Sequence, residues 1–346
     1  LVVAIIGTIL TGLSVIWHSF PVFILGMLIF GLGMGAAQQL RLAAADMYPP
    51  SRRAEGLGFV LTGSLLGALG GPVVINVAQS ISPGLGLPSL ATPWLIVPVV
   101  IVPTIVLIAR LKPDPKYIAA HLDDFYPGYK PELPVKTGVR KGVGLGVFLR
   151  HHPKRAAILA SLATQGNMSM VMAMGSLALS HHGHALPAIS FSVAIHVIGM
   201  FGLSMPLGRL GDAVGRRSVL LIGVVSSILG TLLVPASPDY WVVTFGMFLV
   251  GLGWSGINVA ATTVIADTTR PHERGRAIGT NDAFSSASGI VLPLLAGPLV
   301  EIFGLGAISI LGVLAMIVPL PTLLRLRESS PGKYEDDQVS PDRRRS

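Results

Sequence analysis

Long apolar stretches separated by short polar connections dominate this sequence. The stretches are about 17 to 25 residues long, which is the length that crosses a bilayer as a helix. The pattern therefore predicts an all-α polytopic membrane protein. The ten predicted spans lie roughly at residues 1–17, 21–45, 55–79, 91–111, 156–179, 188–208, 218–235, 241–265, 277–299 and 304–325.

The composition supports a membrane protein. Hydrophobic residues make up 51% of the 346 residues and charged residues only 12%, which is outside the range of soluble domains. The chain has no cysteine, which excludes disulfides, thiolate metal sites and cysteine nucleophiles. The net charge of +8 could indicate a nucleic-acid partner, but the positions of the charges favour another explanation.

The Lys and Arg residues lie on alternate connections between the predicted spans, apart from Arg41, which lies inside one span. The connections near 18–21, 80–93, 180–187, 235–240 and 301–304 contain neither residue. By the positive-inside rule the basic connections face the cytosol. We therefore expect a multi-pass protein of the plasma membrane with a cytosolic central loop and tail, a lipid bilayer partner and no nucleic-acid partner. The basic positions are Arg52, Arg53, the segment 110–155, Arg209, Arg216, Arg217, Arg270, Arg274, Arg276 and the tail from Arg325.

An internal repeat relates the two halves of the chain at an offset of about 220 residues, with one insertion. The segment Gly26–Gly33 parallels Gly246–Gly253, and the same offset aligns the pairs Asp46/Asp267 and Arg53/Arg274. Two parallel halves are one of the arrangements found in secondary transporters. We predict an N-terminal bundle at 1–111, a cytosolic linker at 112–155, a C-terminal six-helix bundle at 156–327 and a disordered tail at 328–346.

The charged segment 208–217 reads Gly-Arg-Leu-Gly-Asp-Ala-Val-Gly-Arg-Arg. Its spacing resembles the signature loop of the major facilitator superfamily, which joins the second and third helices of each six-helix half on the cytosolic side. The resemblance implies a major facilitator fold of two pseudo-symmetric bundles, in which the ten spans are helices three to twelve of twelve. Two further helices are then expected before Leu1, so the chain is expected to be N-terminally truncated.

The resemblance also implies a cytosolic charge network that latches the outward-facing state. Asp212, Arg216, Asp267 and Arg274 would form it, with Asp212 near Arg53. Ala213 stands where the family often has Arg, which would weaken the latch. The candidates for the signature loop and latch are Gly208, Asp212, Gly215, Arg216, Arg217, Asp267, Arg274, Arg53 and Asp46.

A glycine stripe lies on one face of the span predicted at 55–79, where Gly63, Gly67 and Gly71 precede Pro72. The stripe partly resembles the antiporter motif of drug-exporting family members, although Ile75 and Asn76 replace its final glycine pair. Ordinary packing through small residues is an equal alternative. Both interpretations place the helix at the interface between the halves.

Polar side chains at membrane depth are costly and tend to face a cavity. The resemblance places helices one, four, seven and ten around a central substrate cavity. For each polar residue taken alone, a hydrogen bond between helices is the favoured alternative. The substrate-cavity candidates are Gln38 and Gln39 in helix four, Gln165 and Asn167 in helix seven, and Trp254 and Asn258 in helix ten.

Five other titratable residues lie in or near the predicted spans. His181, His182 and His184 lie in an outer connection, where a metal or pH role is possible but simple solvation is favoured; no metal site is predicted. His196 lies inside the next span. Asp282 lies about one turn into a span, where a solvated helix start is the simpler interpretation.

The resulting hypothesis is a secondary active transporter that moves a small molecule by alternating access, coupled to an ion gradient. The partial antiporter pattern favours export of small organic compounds. Uptake is one alternative, and a non-transporting fragment or sensor is another. Protons are a candidate coupling ion, although Met27 and Met247 stand where proton antiporters of the family carry Arg. No phosphate-binding loop, cofactor motif or catalytic constellation is present in the sequence, so we expect neither an enzyme nor a cofactor, and we expect a monomer.

Overall fold

The structure is a computed structural model that describes residues 1–49, 53–127, 146, 150–269 and 273–326. Within these ranges the regular elements are all helices, as predicted. The chain divides into two compact units, unit 1 at Leu1–Gly138 and unit 2 at Val139–Ser346. Residues 128–145 and 147–149 of the predicted linker and the whole predicted tail lie outside the described residues.

The described part of unit 1 contains four long helices and two short ones. The long helices correspond to the first four predicted spans, and the short ones fall in the first part of the predicted linker. In order they are α1 (Val2–Ile16), α2 (Phe20–Asp46), α3 (Arg53–Leu85), α4 (Thr92–Ala109), α5 (Pro115–Ala120) and α6 (Leu122–Phe125).

Unit 2 contains the six remaining predicted spans, two of which are broken into a longer and a shorter helix. The elements are α7 (His152–His181), α8 (Leu186–Phe201), α9 (Ser204–Val214), α10 (Arg216–Ala236), α11 (Tyr240–Asp267), α12 (Arg274–Phe303), α13 (Gly306–Ile317) and α14 (Leu320–Leu324).

Eight helical segments in the described part of the chain are long and apolar enough to cross a membrane. They are α2, α3, α4, the α8–α9 pair, α10, α11, α12 and the α13–α14 pair. Two predicted spans differ from them. Helix α1 has only 15 residues, about 22 Å at the rise of an α-helix. Helix α7 has 30 residues, but Gln165 and Asn167 lower its apolar character in the middle.

Glycines set the closest helix packing in unit 2. A Cβ added at Gly230 of α10 would lie 2.8 Å from the backbone nitrogen of Val250 in α11, and one added at Gly223 would lie 2.9 Å from the carbonyl oxygen of Gly253. The two backbones approach this closely because neither glycine has a side chain. Helices α10 and α11 therefore form a tight antiparallel pair.

The same packing recurs in unit 1. A Cβ on Gly7 of α1 would meet the backbone of Phe30 in α2, and one on Gly33 would meet the backbone of Ala4. Gly33 is the repeat equivalent of Gly253, and Phe30 of Val250. The internal repeat is thus present in the packing of both hairpins as well as in the sequence.

The segment 208–217 is not a loop along most of its length. Helix α9 continues to Val214, and only Gly215 separates it from α10, with φ 94° and ψ 153°. Glycine adopts this left-handed φ without the steric cost of a side chain, which explains why glycine stands at the reversal. The prediction of an interhelical loop was wrong for residues 208–214 because polar residues prolong the helix past the end of its apolar run.

Prolines change the predicted helices in two opposite ways. The span predicted at 188–208 breaks at Gly202 and Leu203, since Pro206 has no N–H to donate to the carbonyl of residue 202. By contrast, α3 continues through Pro72 and Pro83 to Leu85. The predicted span at 55–79 is therefore present as a helix that continues six residues further, to Leu85.

Candidate functional site

Two of the predicted cavity residues meet in unit 2. The indole Nε1 of Trp254 in α11 donates a hydrogen bond of 2.7 Å to the Oε1 of Gln165 in α7. The amide nitrogen of Gln165 lies 3.5 Å from the hydroxyl of Ser169, one turn further along α7. Both Gln165 and Trp254 are half-buried, so the pair keeps an accessible surface.

An aromatic ring and a glycine complete this site. Phe201, at the end of α8, meets Trp254 edge to face with ring centroids 5.9 Å apart. A Cβ on Gly289 of α12 would lie 3.0 Å from Ser169 Oγ and 3.4 Å from Gln165 Cγ, so α12 closes one side of the site. We call Gln165, Ser169, Phe201 and Trp254 the amide–indole site. Its side chains are uncharged and can bind aromatic rings and hydrogen-bonding groups.

The other two cavity candidates of unit 2, Asn167 and Asn258, are not part of the amide–indole site. Asn258 lies one turn beyond Trp254 on α11 and is half-buried. Asn167 is fully buried, and its amide is hydrogen-bonded to the Thr231 hydroxyl of α10, with Nδ2–Oγ1 at 2.8 Å. This geometry is the alternative favoured for each polar residue taken alone, a hydrogen bond between helices: the buried Asn167 side chain connects α7 to α10.

Unit 1 contains an open groove of about 570 Å³ along one helix, α2. Gln38 and Gln39 follow it on the same helix, but their side chains lie outside what the structure describes. The groove is apolar, as expected for a surface that contacts lipid, another helix or an apolar ligand. Its lining residues are Met27, Leu28, Gly31, Leu32, Gly35 and Ala36.

One ion pair of the predicted latch is present in unit 2. Arg216, the first residue of α10, places its Nε 3.5 Å from Oδ2 of Asp267, the last residue of α11. The two side chains are only 16% and 18% exposed. The guanidinium also donates to the carbonyl oxygen of Gly211 at 3.4 Å, which connects this ion pair to the end of α9.

The remaining latch residues are described only in part. Gly208 lies in α9 with a methyl of Val259 3.8 Å from its potential Cβ, and Arg217 is half-buried beside Arg216. The side chains of Asp46, Arg53, Asp212 and Arg274 lie outside the described set.

The predicted glycine stripe of α3 shows no close packing. Gly63 and Gly67 are exposed, and no described atom lies within 4 Å of a Cβ built on either of them. Gly71 and Pro72 are half-buried within the same helix.

The outer histidines lie at the end of α7, where His181 is the last helical residue, and in the turn that follows it. His184 packs beside Tyr240 with ring centroids 5.3 Å apart, while His181 and His182 are exposed. Among the described residues, no group of three or more His, Cys, Asp or Glu side chains could hold a metal ion. The geometry therefore gives the metal alternative no support.

A polar seam between α8 and α11 was not predicted. Tyr240 Oη donates to the carbonyl of Ala188 at 2.8 Å, and the hydroxyls of Ser192 and Thr244 are 2.6 Å apart. The residue numbers in these pairs differ by a constant 52, so the two helices run parallel and in register. The four-residue spacing of 188, 192 and 196 was the signal that the sequence offered. We call this contact the α8–α11 seam.

Sequence and structure comparisons now define the family. The sequence model of the Major Facilitator Superfamily matches residues 156–343, which is more than half of the chain. The MFS-type transporter YdeG of Bacillus subtilis, described as uncharacterized, is 26% identical over 326 residues, covering 92% of this chain and 73% of YdeG. The riboflavin transporter RfnT of Brucella anthropi is 24% identical, covering 89% of this chain and 73% of RfnT.

Two further matches cover different shares of the chain. The multidrug resistance protein MdtL of Salmonella typhi is 24% identical over 154 residues, which is 44% of this chain and 38% of MdtL. The crystal structure of a bacterial homolog of the human lysosomal transporter Spinster, inward-facing and unoccupied, has a TM-score of 0.52 at 16% identity and covers 94% of this chain and 80% of that one. The helical units, the packing repeat and these matches agree, and the chain belongs to the major facilitator superfamily of membrane transporters.

Proposed function

We propose that the protein is a secondary active transporter that moves small organic compounds by alternating access, driven by an ion gradient. The observation that carries this proposal is the amide–indole site, where half-buried polar and aromatic side chains of α7, α8 and α11 meet between membrane-spanning helices. Polar groups at that depth are costly unless they serve a cavity or a contact. Here they keep an accessible surface.

The site favours a neutral or amphipathic substrate with a flat ring. Trp254 and Phe201 offer aromatic surfaces, and Gln165 offers an amide that can exchange its indole partner for a substrate group. Gln165, Ser169, Phe201 and Trp254 carry no charge that would demand an oppositely charged ligand. Relatives named for riboflavin transport and for multidrug resistance support this substrate class.

Export is the direction that we favour. It rests on the partial antiporter pattern at Gly63, Gly67, Gly71 and Pro72, and on the similarity to MdtL. The second candidate is uptake of a riboflavin-like heterocycle, which the similarity to RfnT supports over a larger share of the chain. In both cases we place the protein in the plasma membrane, with the basic connections in the cytosol and the Arg216–Asp267 pair acting in the latch.

A transport assay in cells that express the protein tests this proposal. Accumulation of riboflavin and of a panel of aromatic drugs would be measured with and without a protonophore. We expect at least one compound to change its accumulation in a protonophore-sensitive way, and W254A and Q165A to abolish that change. The matched control is W241A, since Trp241 is 63% exposed and lies outside the site. Equal accumulation in expressing and empty cells for every compound would contradict the proposal.

A further inference from the structure

His196 is the one titratable side chain of α8, and it is completely buried. Its Nδ1 lies 2.6 Å from the carbonyl oxygen of Met247 in α11. A carbonyl can only accept, so Nδ1 carries the hydrogen and Nε2 is the unprotonated nitrogen. Within the described part of the chain, this buried Nε2 has no hydrogen-bond partner. Such a group is unusual and calls for an explanation.

The surrounding polar groups of the α8–α11 seam are satisfied. Ser192 pairs with Thr244, and Tyr240 with Ala188. Beyond the break after α8, the hydroxyls of Ser204 and Ser255 are 2.9 Å apart. Nε2 of His196 is thus an exception in a row of paired groups on the same two helices.

Among the side chains that the structure describes, none provides a counter-ion for an imidazolium at His196. On α11, Tyr240 bonds to Ala188, which lies eight residues before His196, or about 12 Å along α8. Asp267 lies twenty residues after Met247, the partner of His196, or about 30 Å along α11. Other titratable groups of the neighbouring α7 and α9 stand toward their ends or beyond the break. They are His152, Lys154, Arg155 and His181 on α7, and Arg209 and Asp212 on α9.

The closed seam therefore accommodates only neutral His196. A buried imidazolium would need an acceptor for its second N–H, and burying a charge without a partner is strongly unfavourable. A proton can bind only if Nε2 reaches water or an acceptor that the closed seam does not supply. Proton binding and separation of α8 from α11 are then linked equilibria.

The fold offers a place where such a separation could occur. Helix α8 ends at Phe201, and Gly202 and Leu203 form a break before α9. The seam itself depends on close backbone approach: a Cβ on Gly199 would lie 2.7 Å from the carbonyl oxygen of Phe248, and one on Gly251 would overlap the carbonyl of His196. The break after Phe201 is therefore the place where the chain would bend if α8 separated from α11.

We propose that His196 is a proton-binding site whose Nε2 takes up one proton from the aqueous phase when the α8–α11 seam opens and releases it when the seam closes. Because the closed form holds only the neutral ring, acidic pH favours the open form. For one proton, the ratio of open to closed molecules rises up to tenfold for each unit that the pH falls. If the proposed transport function holds, this linkage supplies its ion coupling.

Distance measurements between spin labels test this linkage without any substrate. The chain has no native cysteine, so Phe191→Cys on α8 and Phe245→Cys on α11, which are 44% and 54% exposed, give a single labelled pair. Double electron–electron resonance on the complete protein in lipid nanodiscs would follow their distance between pH 5 and 8.5. We expect a longer-distance population that grows as the pH falls.

Two variants of His196 distinguish an effect of its protonation from a general loosening of the α8–α11 seam. H196N keeps an N–H for the Met247 carbonyl but cannot titrate, and H196Q is a second non-titrating replacement if H196N is poorly folded. Both should lose the pH response. The matched control S192A removes a neighbouring seam bond but keeps His196, so it should retain the response.

A distance distribution that does not change with pH in the labelled protein that keeps His196, or the same pH response after H196N and H196Q, would overturn the proposal. Because the readout is a distance, a protein that transports nothing can still confirm it, and a transporter can still contradict it.

Discussion

At the scale of single residues, glycines differ in what they do although the sequence presents them alike. Gly230 faces the backbone of Gly246 and Val250, whereas Gly67 faces no described atom within 4 Å. The first permits two helices to touch, and the second leaves room for a side chain. A stripe of glycines in the sequence therefore does not show which glycine packs against a neighbouring helix.

Alanine substitutions test this difference. Gly230→Ala should lower the free energy of unfolding by about 1–3 kcal/mol, since the new methyl group overlaps the backbone of α11. Gly67→Ala should leave stability unchanged or raise it slightly, because alanine favours helix and has space. Thermal unfolding of the detergent-purified protein measures both, and equal effects of the two substitutions would contradict the packing described.

The Asn167–Thr231 hydrogen bond gives a second prediction at this scale. Asn167→Ala and Thr231→Val should each destabilise the protein, and the double variant should cost less than the two effects added. The interaction energy should be about 1 kcal/mol, typical of hydrogen bonds between membrane helices. A double-mutant cycle on unfolding measures it. If the two effects were strictly additive and N167A also lost substrate binding, Asn167 would instead be a residue that lines the substrate cavity.

Sequence reasoning located polar residues at membrane depth but could not assign their partners. Gln165 and Asn167 are two positions apart on α7, so they point to different sides of the helix and meet different neighbours. Thr231 is 64 residues from Asn167, and nothing local to either residue indicates their contact. The constant offset of the α8–α11 pairs becomes informative only once the two helices are known to be parallel neighbours.

At the scale of elements, the apolar pattern predicted where helices lie better than where they stop. Spans predicted at 188–208 and 218–235 appear as helices, yet the charged segment between them is mostly helical too. An apolar run in the sequence indicates which residues are buried in lipid or protein. The end of a helix depends instead on a backbone reversal such as that at Gly215. The break before α9 similarly depends on one proline.

The Arg216–Asp267 pair joins two such helix ends. A cation at the start of α10 and an anion at the end of α11 are both unfavourable with respect to the helix dipoles, so stability alone does not explain their placement. Each charge offsets the other across the hairpin. This arrangement is what a latch would require if the pair breaks during the transport cycle.

Exchanging the two charges tests this interpretation. Arg216→Asp and Asp267→Arg should each be destabilising, because each leaves two like charges together. The double variant should recover the stability of the unsubstituted protein or exceed it, since the dipole interactions become favourable. Thermal unfolding at low and high salt measures the effect, and the recovery should shrink as salt screens the charges. A double variant as unstable as the sum of the single variants would show that the pair does not act as a unit.

At the scale of the whole molecule, the repeat explains why two units of different helix number share one packing scheme. The α1–α2 hairpin of unit 1 and the α10–α11 hairpin of unit 2 use equivalent glycines at Gly33 and Gly253. The repeat in the sequence predicted this relationship, since glycines at close contacts cannot be replaced without cost. It could not predict the site in unit 2, which depends on contacts among helices that are distant in sequence.

The repeat also leads to a matched prediction across the units. Gly33→Ala in unit 1 and Gly253→Ala in unit 2 should both destabilise their hairpins, because a Cβ at either position meets a neighbouring backbone. Gly35→Ala, which has no described atom within 4 Å of its Cβ position, is the control. Thermal unfolding of each variant measures this, and a tolerated Gly33→Ala beside a destabilising Gly253→Ala would show that the two hairpins pack differently.

Gradient-driven flux in proteoliposomes tests whether the protein is a secondary transporter that uses the amide–indole site. The purified protein would be reconstituted, a proton gradient imposed, and the movement of a compound identified in the cell assay followed over time. We expect flux that requires the gradient, collapses with a protonophore and is lost in W254A while W241A retains it. Flux that is independent of every imposed ion gradient, or that is unchanged in W254A, would contradict a secondary transporter that uses the amide–indole site.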